Sequence, residues 1–97
     1  MKRTLIAADE LKDLIRHLPP VLKGKIKQGL DEICAQPHSG KPLRDELAGL
    51  HSYRIGEIRI VYQVEERAII LITVGPRRTV YQKAALELNR TQHHRQL

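Results

Sequence analysis

The feature that most constrains the fold is a run of three strand patterns between Leu50 and Tyr81. Side chains alternate through the middle pattern, with Ile58, Ile60, Tyr62 and Val64 on one face and Arg59, Val61 and Gln63 on the other. Residues 68–74 (AIILITV) are almost continuously apolar, which is typical of a strand buried on both faces. Gly56-Glu57 predicts a tight hairpin turn, and Gly75-Pro76 ends the last strand because proline cannot donate to the ladder.

The same stretch contains arginines that a buried core would not need. Arg54 and Arg59 lie inside strand patterns, Arg77 and Arg78 lie just past a strand, and Tyr81 follows within one turn. We therefore expect a curved antiparallel sheet with one apolar face. The other face should carry Arg54 and Arg59, with Arg77 and Arg78 at its rim.

Length and charge narrow the class of protein. A chain of 97 residues predicts one domain, and a formal charge of +6 with a pI near 9.8 favours a polyanionic partner, nucleic acid before an anionic membrane. No apolar run approaches the roughly 20 residues of a membrane span. The N-terminus does not resemble a signal peptide, and the single cysteine, Cys34, suits a reducing cytosol. These observations predict a cytoplasmic protein without a membrane partner.

The remaining segments complete the order β-α-α-β-β-β-α. Residues 3–7 predict a first strand, Asp9 is a potential helix cap, and two amphipathic helices joined by Pro19-Pro20 predict a helical hairpin. Residues 37–49 predict an irregular connection, and a short helix should follow Tyr81. The sequence thus predicts an α+β fold in two layers, with the hairpin packed on the sheet and strand one at an edge or beside strand four. Residues 1–90 form the domain, and residues 91–97 form a polar, basic, flexible tail.

The segments GLHSYRIGEIRIVYQV and VGPRRTVYQ, in this order and after a helical hairpin, resemble the RelE/ParE superfamily of type II toxin–antitoxin toxins. The similarity is greatest to its RelE-like branch. RelE-like toxins are mRNA interferases that cleave mRNA in the ribosomal A site, whereas ParE-like toxins share the fold and inhibit DNA gyrase. The resemblance implies a cognate antitoxin, and binding of operator DNA only through the antitoxin complex. From the residues themselves we expect no cofactor and no metal.

The resemblance also implies site residues. Carried over by position, the catalytic set is Arg54, Arg59, Arg78 and Tyr81. We also predict that the neighbouring cations Arg77 and Lys83 bind RNA. The chemistry suits these residue types, since RNA carries its own nucleophile in the 2′-OH. Arginines that clamp the phosphate and a proton donor for the leaving oxygen could cut it without a metal.

Other interpretations of these residues stay open. Arg59 could be an ordinary solvated charge, Arg77-Arg78 ordinary loop charge, and Tyr81 a core aromatic. Many relatives have a second basic residue where this chain has Gly56, followed by Glu57. That departure keeps open a non-catalytic module that binds nucleic acid or the antitoxin. The shared fold keeps open a second alternative to the endonuclease, a ParE-like gyrase inhibitor.

The remaining polar residues give weaker signals. His51 could be a general acid or base, although a structural role at the start of a strand is the simpler interpretation. His93-His94 lack helical ligand spacing and indicate a solvated tail. Tyr62 and Cys34 fall on apolar faces and predict core positions. No zinc signature and no carboxylate pair typical of acid–base catalysis is visible in the sequence.

Overall fold

A computed structural model describes the backbone of residues 2–95 and the side chains of residues 2–90. In chain order its elements are β1 (Thr4–Ile6), α1 (Asp9–Arg16), α2 (Pro20–Ala35), β2 (Lys41–Pro42), β3 (Leu50–Ile55), β4 (Ile58–Val64), β5 (Ala68–Pro76) and α3 (Arg77–Arg95). Two short 3-10 turns, Pro37–Ser39 and Asp45–Leu47, flank β2. The side chains of the predicted flexible tail, His93-His94 included, lie outside the described residues.

The five strands form one sheet in the order β1-β5-β4-β3-β2. Strands β3, β4 and β5 form the expected antiparallel meander, and β1 lies at the edge beside β5, as predicted. The sheet is mixed rather than purely antiparallel, because the helical hairpin carries the chain back across the sheet and β1 pairs with β5 in parallel. Strand β2, which pairs with β3 at the other edge, was not predicted because two residues, one of them proline, give no readable pattern.

A bulge in β5 explains its unbroken apolar run. Val61 of β4 pairs with Thr73, but the next residue, Tyr62, pairs with Leu71, so Ile72 is the extra residue. Leu71 and Val74 consequently both face the first core, while Ile72 packs against a second cluster on the opposite face. An apolar side chain is therefore needed at nearly every position of the strand.

The first core lies between the helical hairpin and the sheet. It buries residues of α2, β4 and β5, namely Ile26, Leu30, Ile33, Cys34, Ile60, Tyr62, Ile69, Leu71 and Val74. The predicted core positions of Tyr62 and Cys34 are thus confirmed. Pro20 opens α2, as proline can at a first helical position. Asp9 does not cap α1: it is the first helical residue, and the capping position is Ala8.

Helix α3 covers part of the other face of the sheet. Its Val80 and Ala84 are fully buried against Val61 and Leu50. The helix starts at Arg77, directly after β5, and is longer than the short helix predicted after Tyr81. Val80, Ala84 and Leu88 recur at helical spacing, and this periodicity begins at Val80, before the predicted start of the helix. The arginine-bearing face is therefore partly apolar. None of the helices among the described residues has the length and apolar character needed to span a bilayer.

Candidate functional site

Four arginines meet in one hollow at the end of the sheet where the β3–β4 hairpin turns. Arg54 and Arg59 come from β3 and β4, and Arg77 and Arg78 come from the start of α3. The hollow has a volume of about 450 Å³, and its remaining lining is Gly56, Glu57 and Pro76. We call these seven residues the arginine pocket.

The hairpin positions the first two arginines. Ile55 pairs with Ile58, so Gly56 and Glu57 form a two-residue hairpin turn. Gly56, the first turn residue, has a positive φ of +58°, whereas Glu57 does not have a positive φ. This turn places Arg54 directly opposite Arg59. Like charges facing each other across two strands destabilise a sheet, so the pair costs folding free energy unless an anion lies between them.

Arg59 is the least solvated of the four arginines. It is half-buried, whereas Arg54, Arg77 and Arg78 are exposed, and its Nε is buried without a hydrogen-bond partner. The Nε of Arg54 donates to the carbonyl of Gly56 at 3.1 Å. Within residues 2–90, no ion pair with a carboxylate involves any of the four arginines. Their guanidinium groups are therefore available to an anionic ligand.

The start of α3 adds to the positive potential. Arg77 and Arg78 occupy its first turn, which contains no acidic residue. The backbone N–H of Arg77 donates to the carbonyl of Glu57 at 3.2 Å, so the helix start is joined to the hairpin turn. Cations at a helix N-terminus oppose the helix dipole, and that end of a helix favours anions. The arrangement weakens the helix slightly and favours binding of a phosphate.

Tyr81 and Lys83 lie on α3 beside the arginine pocket rather than in its lining. The hydroxyl groups of Tyr81 and Ser52 are 3.1 Å apart, and the Tyr81 ring packs on the second apolar cluster. The Nζ of Lys83 lies 3.4 Å from the position that a Cβ at Gly75 would occupy. Gly75 pairs with Arg59, so the ammonium group of Lys83 lies over the strand position next to Arg59.

One lining residue was not predicted from the sequence. Glu57 was assigned only to the turn, and it is the acidic residue in the lining of the arginine pocket. The sequence did contain a signal for its place in the pocket, because Glu57 lies in a hairpin turn only two residues before Arg59. A carboxylate among guanidinium groups can accept a proton from a hydroxyl bound there.

His51 lies outside the arginine pocket, and its ring stacks on Tyr62 with the centroids 5.4 Å apart. Burial, followed by the nearby His38, lowers the pKa of His51 below its ordinary value. Burial raises the pKa of the Cys34 thiol, with a further contribution from Asp31. Among the described residues, no three His, Cys, Asp or Glu side chains are grouped to hold a metal ion.

Comparison with known proteins agrees with this arrangement. The family model described as "ParE toxin of type II toxin-antitoxin system, parDE" matches residues 2–81. The chain belongs to this family, within the RelE/ParE superfamily. It is a toxin of a type II toxin–antitoxin system, and the predicted superfamily is confirmed.

Individual relatives come from both the curated proteins and the solved structures. Toxin RelG of Mycobacterium tuberculosis is 29% identical over 75 residues, which are 74% of this chain and 86% of RelG. Toxin RelE of the same organism is 36% identical over 62 residues, covering 63% of this chain and 64% of that protein. In the crystal structure of the M. tuberculosis toxin–antitoxin complex RelBE2, a chain of 26% identity superposes with a TM-score of 0.70 over 79% of this chain and 100% of its own length. The α+β fold of this RelE/ParE toxin is thus that of a solved toxin–antitoxin component.

Proposed function

We propose that this toxin is a ribosome-dependent mRNA endonuclease that blocks translation by metal-independent attack of a 2′-OH on the adjacent phosphate. The observation that carries the proposal is the arginine pocket, where Arg59 has a buried, unpartnered Nε and faces Arg54 across the hairpin. A phosphodiester in this pocket would neutralise the repulsion between the arginines. It would also provide an acceptor for the unpartnered nitrogen.

The proposed reaction needs three roles. Glu57 takes the proton of the 2′-OH, whose oxygen attacks phosphorus in line with the leaving 5′-oxygen. Arg59 and Arg78 stabilise the negative charge that develops on the non-bridging oxygens, and Arg54 holds the phosphate in position. Tyr81 is placed one helical turn beyond Arg77 and Arg78 and is the proposed proton donor to the 5′-oxygen. The P–O5′ bond breaks, leaving a 2′,3′-cyclic phosphate and a 5′-OH.

The remaining cations would hold RNA on either side of the cut. Arg77 at the start of α3 and Lys83 beside Gly75 extend the positive surface away from the arginine pocket. Lysine and arginine contacts to phosphates do not depend on the identity of the base. Because they release counterions from the RNA, the binding affinity they provide falls as the salt concentration rises. The proposed partners are therefore mRNA, the ribosome and a cognate antitoxin in the cytoplasm, with operator DNA bound only through the antitoxin complex.

Induced expression followed by separate labelling of protein, DNA and RNA synthesis tests the proposal. We expect protein synthesis to stop first, with mRNA cut inside reading frames and bearing 5′-OH ends. The Arg59→Ala/Arg78→Ala variant should leave all three syntheses running. An arrest of protein synthesis with intact mRNA would refute the proposed cleavage.

A second candidate function is inhibition of DNA gyrase. Two observations favour it: the matching family model is that of ParE toxins, and the arginine pocket includes Gly56 and Glu57 where additional cations would strengthen RNA binding. In the same labelling experiment this function predicts an early arrest of DNA synthesis and DNA breaks while mRNA stays whole.

A further inference from the structure

A pair of hydroxyl groups lies under α3, next to the arginine pocket. Ser52 of β3 is only 3% exposed, and its Oγ lies 3.1 Å from the hydroxyl oxygen of Tyr81. Within residues 2–90, neither hydroxyl has another hydrogen-bond partner. Two hydroxyl groups that share one hydrogen bond hold two protons between them, so one proton stays free for a third group.

The register of β3 aligns this pair with the arginine pocket. Side chains at every second position of a strand share one face, so Leu50, Ser52 and Arg54 lie on the face that α3 covers. Arg54 lines the arginine pocket, and the ordinary rise of a strand separates the Cα atoms of Ser52 and Arg54 by about 7 Å. The Tyr81 hydroxyl is therefore held at the edge of the pocket, on the same face as the arginines.

Tyr81 is fixed at both ends of its side chain. Its ring packs on the second apolar cluster, and Ser52 holds its hydroxyl from the sheet. A proton donor whose ring and oxygen are both fixed loses little further freedom when a leaving oxygen approaches it. The contact with Ser52 thus sets the direction in which the phenol can donate.

The fold itself gives no reason for a serine at this position. Ser52 pairs with Val61, which is fully buried in the second apolar cluster. Burying a hydroxyl costs free energy unless it is hydrogen-bonded, and a β-branched residue suits a buried strand position better. The hydroxyl of Ser52 is therefore explained by its partner, Tyr81.

We propose that Ser52 is a positioning residue that orients the Tyr81 hydroxyl for proton transfer to the leaving 5′-oxygen. The inference rests on the proposed function, in which Tyr81 is the proton donor. The Ser52 hydroxyl donates to the Tyr81 oxygen, so the phenol O–H is directed at the 5′-oxygen. As the P–O5′ bond breaks, the phenol O–H bond breaks and its proton passes to the 5′-oxygen. The negative charge left on the phenolate strengthens the hydrogen bond from Ser52. The phenolate then regains a proton from water and Glu57 releases one, which restores the enzyme.

A substrate whose leaving group needs no proton donor provides the test. Single-turnover cleavage on programmed ribosomes compares an ordinary mRNA with one that has sulfur in place of the scissile 5′-oxygen, because a thiolate leaves without being protonated. Ser52→Ala should slow cleavage of the ordinary mRNA about 10-fold and of the sulfur mRNA less than about 3-fold. Tyr81→Phe should show the same pattern, with a loss of about 100-fold on the ordinary mRNA.

Three comparisons separate a positioning role from a structural one. The ratio of the two cleavage rates is measured on one protein preparation, so partial unfolding of a variant does not change it. Ser52→Thr keeps the hydroxyl and should restore the ratio of the unmodified toxin. Ser52→Ala added to Tyr81→Phe should cost less than about 2-fold, because the phenol that it orients is already gone. The control Thr73→Val removes another buried hydroxyl, outside the arginine pocket, and should change neither rate.

Equal losses on both mRNAs, or a full 10-fold loss when Ser52→Ala is added to Tyr81→Phe, would overturn the positioning role of Ser52. If Tyr81→Phe slows the ordinary mRNA while Ser52→Ala does not, the proposed function stands and the inference fails. Absence of cleavage of either mRNA by the unmodified toxin would refute the proposed function and the inference with it.

Discussion

Arg59 is where the demands of folding and of function conflict in this RelE/ParE toxin. Its Nε is buried without a partner, and its charge faces that of Arg54 across the hairpin. Both features cost folding free energy and both favour a bound phosphate. A side chain retained for stability would not be placed this way.

The first prediction follows from this conflict. Arg59→Leu should raise the free energy of unfolding by about 1 kcal/mol, because it removes an unsatisfied buried donor and a like-charge pair. Urea denaturation measures the change, and Arg67→Leu, on the exposed β4–β5 turn, is the matched control. A clear loss of stability in Arg59→Leu alone would show that Arg59 is a structural residue.

Glu57 gives the second prediction at this scale. Glu57→Gln should slow mRNA cleavage about 100-fold without changing stability, because the amide cannot accept the proton of the 2′-OH. The control is Glu66→Gln, in the exposed turn at the other end of β4. Single-turnover cleavage rates on programmed ribosomes compare the two variants, and equal rates would exclude Glu57 as the base.

At the scale of elements, the 3-10 turn Pro37–Ser39 is fixed to the sheet by one side chain. The buried hydroxyl of Tyr62 donates to the Pro37 carbonyl at 2.7 Å and accepts from the N–H of Gly40 at 3.0 Å. Tyr62→Phe should therefore lower the free energy of unfolding by about 1–3 kcal/mol, since two buried backbone groups lose their partner. Tyr53→Phe, at a half-buried tyrosine whose hydroxyl donates to Glu32, should change it by less than about 1 kcal/mol. Equal effects in urea denaturation would contradict this assignment.

His51 of β3, whose ring lies near that of His38 in the same 3-10 turn, predicts a dependence on pH. The pKa of His51 lies below its ordinary value in the folded protein, so the unfolded chain binds the proton more readily. The contribution of His51 is complete above about pH 6.5 and is lost as pH falls below that value. Denaturation between pH 5 and 7 should show a slope that His51→Gln reduces, and an unchanged slope would contradict the prediction.

The elements also show what the sequence could and could not predict. Alternation in β4 was visible because the polar residues Arg59 and Gln63 interrupt one of its faces. The helical spacing of the hairpin was visible because its apolar residues pack on the first core. Strand β2 was too short to give a pattern. The three residues of β1 do not encode the direction of its pairing, because its parallel pairing with β5 depends on the path of the helical hairpin. The grouping of Arg54 and Arg59 followed from hairpin register. The inclusion of Glu57, and the position of Lys83 over Gly75, depend on how α3 leaves β5 and required the structure.

For the whole molecule, the arginine pocket lies at the hairpin end of the sheet beside α3. The chain carries +6 overall, so the surface around the pocket attracts anionic partners. Phosphates suit the guanidinium groups of the pocket because these groups donate several hydrogen bonds in one plane.

The most direct test of the central claim is single-turnover cleavage of a defined mRNA on programmed ribosomes by Arg59→Ala/Arg78→Ala. The control, Arg44→Ala/Arg67→Ala, removes the same charge from exposed positions outside the arginine pocket. We predict a loss of at least about 100-fold for the first variant and less than about 3-fold for the second. We also predict no cleavage of mRNA with 2′-deoxyribose at the scissile nucleotide. Equal rates for the two variants, or cleavage of the deoxy substrate, would contradict the account.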